Sequence, residues 1–240
     1  MKILSIVIPT YNMEKYLDRC LTSLIVDDEA MARLEVLVII DGATDRSSEI
    51  AHGYEARYPQ TFRVIDKENG NYGSCVNRGL AEAAGKYIKI LDADDWFETN
   101  NLSEFISFLD HVDADLVVSH TIDRNFSDNT SSELRFSSLP DTVFSLKDFS
   151  DTDISYLFMH SITYKTAKVR ESGYMQLEHI SYTDLQWATE PMVNVNSCQC
   201  FHKTIYNYCI GREGQTIDAS AHCKNMWMEE KVLLHVASTF

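Results

Sequence analysis

Asp92, Asp94 and Asp95 stand together at the end of the apolar run in "YIKILDADDWF", residues 87–97. Adjacent carboxylates repel, and holding several of them ionised in a cleft raises their pKa values unless a cation compensates. A hard divalent ion, Mg2+ or Mn2+, does so with few protein carboxylates and fills its remaining positions with water and phosphate oxygens. In an extended segment Asp92 and Asp94 point to the same side, so one can hold a metal while the other takes a neighbouring hydroxyl. The alternative is a polar turn and helix cap leading into "FETNNLSEF".

Such a cluster works only if a frame presents it. The strand-like runs "ILSIVIP", "EVLVII", "FRVID" and "KYIKIL" alternate with the helix-like segments "EKYLDRCLTSLI", "DRSSEIAHGYEARY" and "YGSCVNRGLAEAA". That alternation predicts right-handed crossovers and a mostly parallel sheet. Leu17, Leu21 and Leu24 recur at helical spacing and are expected in the core. In open α/β sheets ligands gather at the carboxyl ends of the strands. Here those ends carry "PTYN" (Pro9, Thr10, Tyr11, Asn12), "DGATD" (from Asp41) and "DADDW" (from Asp92).

A helix "NLSEFISFLDHV" and a strand "ADLVVSH" extend the pattern to about residue 120. Residues 121–153 are rich in Ser, Asp and Asn, and predict a solvated excursion with short edge strands, the alternative being a variable region over a binding cleft. No repeat and no Pro/Gly-rich linker divides the chain, so a single domain is expected. The closing segment "MWMEEKVLLHVASTF" reads as an amphipathic helix that stops without a cap, which raises the expectation of a piece of a longer protein.

Of the 240 residues, 21 are Lys or Arg and 36 are Asp or Glu, a net charge of −15 that argues against a nucleic-acid backbone as partner. It leaves single nucleotides open, since a metal ion and a few local contacts can hold one. The six cysteines form no C-x-x-C pair, and Cys198 and Cys200 are expected as alternate residues of a strand with one or both thiols buried. A reducing cytosol fits them best. No run approaches the roughly 20 apolar residues that cross a bilayer. The histidines lack tight ligand spacing, so zinc chemistry is not expected; His160 and His179 read as structural. Trp96 reads equally as a sugar platform or a core aromatic. Neither a P-loop nor a dinucleotide fingerprint is present, Phe97 stands where a calcium loop needs Gly, and Trp96 departs from the D-x-D pattern of haloacid-dehalogenase-type phosphatases.

Together, "LSIVIPTYNMEKYLDRCLTSL", "IIDGATDRSSEIA", "ENGNYGSCVNRGLAEAAGKYIKILDADDWF" and "GREGQTI" resemble a family-2 glycosyltransferase. The likeness is dense over the first 110 residues, looser through "LEHISYTDLQWATEPM" and weak over about 121–160. It implies the glycosyltransferase-A fold, an α/β architecture with a Rossmann-like, mostly parallel sheet and a smaller mixed acceptor-side region. Residues 1–110 would form the nucleotide-sugar half, 111–220 the acceptor half and 221–240 the C-terminal helix. The implied reaction is metal-dependent transfer, with inversion, from a nucleoside diphosphate sugar, by resemblance a UDP-sugar. The acceptor would be a saccharide or lipid-linked saccharide in surface polysaccharide or glycolipid synthesis. A cytoplasmic enzyme is expected, with peripheral association at the inner face of the membrane if the acceptor is lipid-linked.

Carried over by position, Pro9, Thr10 and Tyr11 border the base and ribose, and Asp41 hydrogen-bonds the base. Asp92 sits near ribose or donor sugar, Asp94 ligates Mg2+ or Mn2+, and Asp95 supports them or touches the sugar. Asp184 is the general base, although the family's frequent Glu before it is Thr183 here; its alternative is a cap for the helix "LQWATEPM". Where many members have Arg, this chain has Val76, so the nucleotide contact passes to Asn77 and not to Arg78. Arg212 closes over the diphosphate, a guanidinium being matched to phosphate geometry. The rival reading is a nucleotide-sugar-binding domain of the same fold without turnover.

Overall fold

The computed structural model describes residues 1–148, 157–212, 215 and 219–239. Residues 149–156, which include the end of the polar excursion, Glu213, Gly214, Thr216 and Ile217 of "GREGQTI", and Phe240 of the closing segment lie outside the described residues.

The strands β1 (Leu4–Thr10) and β2 (Leu34–Asp41) are almost wholly buried along their length. Such continuous apolar runs belong to central parallel strands covered on both faces. β2 pairs in parallel with β1 and with β3 (Phe62–Lys67), and β1 pairs in parallel with β4 (Tyr87–Ile90). From β1 the chain builds outward through β2 to β3, then returns to lay β4 on the other side of β1. The order therefore reverses between β1 and β4, and the crevice beyond their carboxyl ends is where this topology places a ligand.

Two apolar clusters cover the two faces. One contains Leu17 and Leu21 of α1 (Leu17–Thr22), Ala30 and Met31 of α2 (Asp28–Arg33), Ala51 and Tyr54 of α3 (Ser47–Arg57), and Phe105 of α5 (Thr99–His111). Val76 and Leu80 of α4 (Asn71–Glu82) belong to the other. Leu24 is buried in the first, as expected from its spacing, although the α-helix there stops at Thr22. The six-residue α2 is not among the helix-like segments of the sequence; its first turn is capped by Asp27, which accepts from the Ala30 N–H at 3.0 Å.

Beyond α5 the sheet becomes mixed. β5 is Trp96–Phe97, β6 Leu116–Asn125, β7 Thr130–Leu134, β8 Phe144–Ser145, β9 Ile162–Lys165 and β10 Ser197–Ile210. The sheet order is β3-β2-β1-β4-β9-β6-β10-β5, with β7 on β6 and β8 on β10. The antiparallel β9 lies between β4 and β6, while β10 runs parallel to β6. β10 therefore ends at the same edge of the sheet as β1 and β4. Short strands β7 and β8 fall where the polar excursion predicted them, and Cys198 and Cys200 are both buried in β10. The helices α6 (Thr166–Glu171), α7 (Asp184–Thr189) and α8 (Ala219–Thr239) complete the described chain. No described helix is long and apolar enough to cross a membrane.

Candidate active site

A cavity of about 550 Å³ opens at the carboxyl ends of β1, β2 and β4. Pro9, Thr10 and Tyr11 line it from the end of β1, Asp41 and Gly42 from β2, and Asp92 and Asp94 from the loop after β4. Asn71, Tyr72 and Cys75 bring in the first turns of α4, Ser181 to Asp184 the start of α7, and Arg212 the end of β10. The α4 N-terminus adds a partial positive charge that suits an anion.

The β1 and β2 loops are tied together before any ligand arrives. Asn12 accepts from the Thr44 N–H at 2.8 Å, Asp45 from the Glu14 N–H at 2.9 Å, and Glu14 from the Arg46 N–H at 3.0 Å. Gly42 turns the chain at φ 68°, and a Cβ there would approach Asn69 N at 3.1 Å. Asp41, 2% exposed, receives the Lys67 ammonium at 2.5 Å and the Gly70 N–H at 2.9 Å, both on Oδ1. The Cys75 thiol also hydrogen-bonds this carboxylate, which lines the cavity.

In the loop after β4 the three aspartates divide their work. Asp95 faces away from the cavity: its Oδ2 accepts from the Tyr206 hydroxyl at 2.6 Å and its Oδ1 from the Cys209 N–H at 2.7 Å. It clamps β10 to this loop and does not line the cavity. Asp92 accepts from the Tyr72 hydroxyl at 2.7 Å, and its own N–H donates to Tyr206 at 3.1 Å. Burial, then the charges of Asp184 and Asp94, raise the Asp92 pKa far above the usual carboxylate range; burial, then Asp92 and Asp94, raise that of Asp95. Two carboxylates pushed up together mark a place short of positive charge.

Asp94 is ion-paired to the Arg212 guanidinium, both largely buried. The Arg212 loop is itself pinned: Gln215 accepts from the Gly211 N–H at 2.8 Å and the Arg212 N–H at 3.1 Å, and donates to Cys209 O at 2.6 Å. Arg19 holds the Asp94 carbonyl at 2.7 Å and stacks on Trp96, its guanidinium 4.0 Å from the ring centre. Trp96 is thus packed outside the cavity lining.

Asp94 lines the cavity together with Asp92, and carboxylate oxygens suit a hard divalent ion, which would take the place of Arg212 as the cation at Asp94. A second grouping, Asp92, Asp95 and His160, brings ligand atoms within 4.8 Å of one another. Both Asp95 oxygens there are committed to β10, so Asp94, open to the cavity, fits the ion better.

Asp184 is the first residue of α7, not its cap. The cap position is Thr183, whose side chain makes no capping bond and instead accepts from Gln176 Nε2 at 2.5 Å. Trp187, one turn on, is fully buried with Tyr164 and Tyr174 packed edge-on, which fixes the helix and so the carboxylate. Asp184 is exposed to the cavity, and the protein packed around it pushes its carboxyl up to about 6.

Asn77 corrects the sequence expectation, for it does not line the cavity. Its amide donates to Gln176 O at 2.9 Å and Glu178 Oε1 at 3.0 Å, and accepts from the Gln176 N–H at 2.8 Å. Gly73 completes this seam, since a Cβ there would stand 2.0 Å from Leu177 O. Both residues hold the segment leading to Asp184 against α4. Tyr72, His160, Tyr182 and Tyr208 do line the cavity and were not assigned to it from sequence. His160 stacks on Tyr208 at 4.2 Å, and its carbonyl is held at 2.7 Å by the buried Lys89 ammonium. Burial and Lys89 push the imidazole down to about 3, so it is neutral.

Residues 5–171 match the family model described as glycosyl transferase family 2. The chain is 35% identical over 117 residues to the uncharacterized glycosyltransferase MG025 homolog of Mycoplasma pneumoniae, covering 48% of this chain and 38% of that protein. It is 24% identical over 217 residues to poly(ribitol-phosphate) beta-N-acetylglucosaminyltransferase TarS of Staphylococcus aureus, covering 90% of this chain and 37% of TarS. The chain thus spans well under half the length of these relatives. Among solved structures, S. aureus TarS 1–349 in complex with UDP-GlcNAc superposes with a TM-score of 0.74 at 25% identity, over 90% of this chain and 60% of that one. The mannosyltransferase PcManGT of Pyrobaculum calidifontis, in complex with GDP-Man and Mn2+, shares the fold with a TM-score of 0.66 at 14% identity, over 97% of this chain and 64% of that one.

Proposed function

The chain belongs to glycosyl transferase family 2, and on that premise we propose that it moves a sugar, with inversion, from a nucleoside diphosphate sugar to an acceptor hydroxyl. One observation carries this reading: Asp41, Asp92, Asp94 and Arg212 meet in a single cavity with Asp184. UDP is the expected nucleotide, in keeping with the UDP-GlcNAc bound by TarS. Asp41 would accept from the uracil N–H, while Pro9, Thr10 and Tyr11 border base and ribose. Mg2+ or Mn2+ held by Asp94 would neutralise charge on the departing diphosphate.

Asp184 takes the proton of the acceptor hydroxyl as its oxygen attacks the anomeric carbon. The new C–O bond forms as the bond to the diphosphate oxygen breaks, and the leaving group keeps that electron pair. Arg212 turns from Asp94 to the diphosphate. The aromatic wall of Tyr72, His160 and Tyr208 excludes water that would otherwise hydrolyse the donor. We place the reaction on the cytoplasmic side, in surface polysaccharide or glycolipid assembly, with membrane-face association where the acceptor is lipid-linked.

Calorimetric titration of UDP, GDP and TDP with and without Mn2+ tests the donor half. Binding of one diphosphate that requires the metal supports it, and metal-independent or absent binding of all three sinks it. Arg212→Gln probes the Asp94 pair: in the nucleotide-free protein Mn2+ should bind about tenfold more tightly, since no internal cation competes for the carboxylate. UDP binding should weaken in the same variant. Unchanged Mn2+ affinity would mean that the guanidinium and the metal do not share Asp94.

The pH profile has a defined sign. Asp184 must be ionised to accept a proton, and its pKa stands above the usual carboxylate value. Activity should therefore fall on acidification already at pH values where an ordinary Asp, pKa about 3.9, stays ionised. An acid limb of kcat/KM at the ordinary carboxylate value would remove Asp184 from the role.

A further inference from the structure

The donor half leaves open what the other side of the cavity accepts, and three observations there converge. First, Tyr182 has a backbone φ of 65°, and His179 one of 63°. For a bulky residue the left-handed region is an outlier, tolerated where the surroundings over-determine it and found most often at ligand sites. The surroundings here do so: the His179 N–H donates to Gly70 O at 3.1 Å, Gln176 holds Thr183, and the Tyr182 ring lies 5.5 Å from that of His222 on α8.

Second, the strained residue lines the cavity two positions before Asp184, in a wall that also contains Ser181, Thr183, His160 and Tyr208. Hydroxyls and flat rings are the groups that take up sugar hydroxyls and the apolar face of a pyranose.

Third, the charge is one-sided. On the acceptor wall Asp184 stands among the described lining residues with no Lys or Arg beside it; the cations near the cavity are already paired on the donor side, Arg212 to Asp94 and Lys67 to Asp41. The sequence of 149–156, 213–214 and 216–218 contains neither Lys nor Arg. A phosphate or carboxylate on the acceptor would meet like charge in a poorly screened site and lack a counter-ion.

We propose that the acceptor subsite takes an uncharged saccharide, its ring lying on Tyr182 with the nucleophilic hydroxyl at Asp184. The assignment rests on the glycosyltransferase reading and deepens it. Tyr182 positions and selects the acceptor; the proton transfer stays with Asp184.

Saturation-transfer NMR tests it on the whole chain with UDP and Mg2+ bound, using cellobiose, chitobiose, galactobiose, digalacturonate and glucose 6-phosphate as probes. At least one neutral disaccharide should receive saturation from the protein's aromatic protons, and the two acidic probes should not. Tyr182→Gly keeps a backbone at home at positive φ and removes the ring. It should cut the neutral signal about fivefold to tenfold, the scale of one lost ring contact, and leave calorimetric UDP–Mg2+ binding unchanged; Tyr182→Phe should retain both.

Saturation confined to the acidic probes, saturation of none, or full neutral signal in Tyr182→Gly overturns the proposal while the donor site stands. If the wild type binds no UDP with Mg2+, both readings fall together.

Discussion

Asp184→Asn is expected to bind UDP and Mn2+ as the wild type does and to lose transfer by a factor of about 10² to 10⁴, the usual contribution of a positioned general base. The substitution removes a proton acceptor and little else. Asp184 makes no capping bond to α7, and Trp187 holds the helix independently, so the cavity wall should survive. An amide also relieves Asp92 of one like charge, since Asp184 contributes to its raised pKa; nucleotide affinity could therefore rise slightly but should not fall. The decisive pair of measurements is product formation by mass spectrometry and UDP binding by calorimetry on the same preparation. Transfer that survives within tenfold would end the general-base assignment. A wild type that binds nucleotide sugar yet turns over no donor with any acceptor would favour the rival, a binding domain without chemistry.

The second large effect belongs to Asp94→Asn. Replacing this carboxylate takes away both the metal's anionic ligand and the partner of Arg212. UDP affinity in Mn2+ should fall by more than the roughly 10- to 100-fold that loss of a mere outer-shell partner costs, and adding Mn2+ should no longer help. The variant should still fold, because the contacts that fix this loop run through other atoms: the Asp94 carbonyl to Arg19, and the Asp95 carboxylate to Tyr206 and Cys209. Circular dichroism separates the cases. Native spectra with metal-independent UDP binding confirm the role of Asp94. Native spectra with metal-enhanced UDP binding intact would move the ion to the Asp92, Asp95 and His160 grouping.

The parts of this molecule that could be read from sequence are those specified locally. The continuous apolar runs of β1, β2 and β4 announce buried parallel strands, and their carboxyl ends carry Pro9, Thr10, Tyr11, Asp41, Asp92 and Asp94, which line the cavity. α2 escaped notice because six residues are too few to show a helical period. The Asn77 error has a plain cause: Asn71, Tyr72 and Cys75 lie within about 100° of each other around α4, and Asn77 about 120° or more from each of them, so helical phase alone would have turned it away. Tyr72, Tyr182 and Tyr208 were invisible for another reason. They are gathered by the β4, β9, β6, β10 order and by the Asn77 and Gly73 seam, contacts between distant residues that no short motif records.

The cysteines lead somewhere else. Five of the six thiols are buried and one, Cys223, is exposed on α8, one position from the His222 ring that faces Tyr182. Burial pushes the Cys75 and Cys200 thiols up to about 12, so they are neither accessible nor ionised at neutral pH. The native protein should therefore consume one equivalent of a thiol reagent quickly and the remainder only as it unfolds. A fluorophore coupled there, in unmodified wild-type sequence, would sit beside the acceptor wall and report directly on what docks against it.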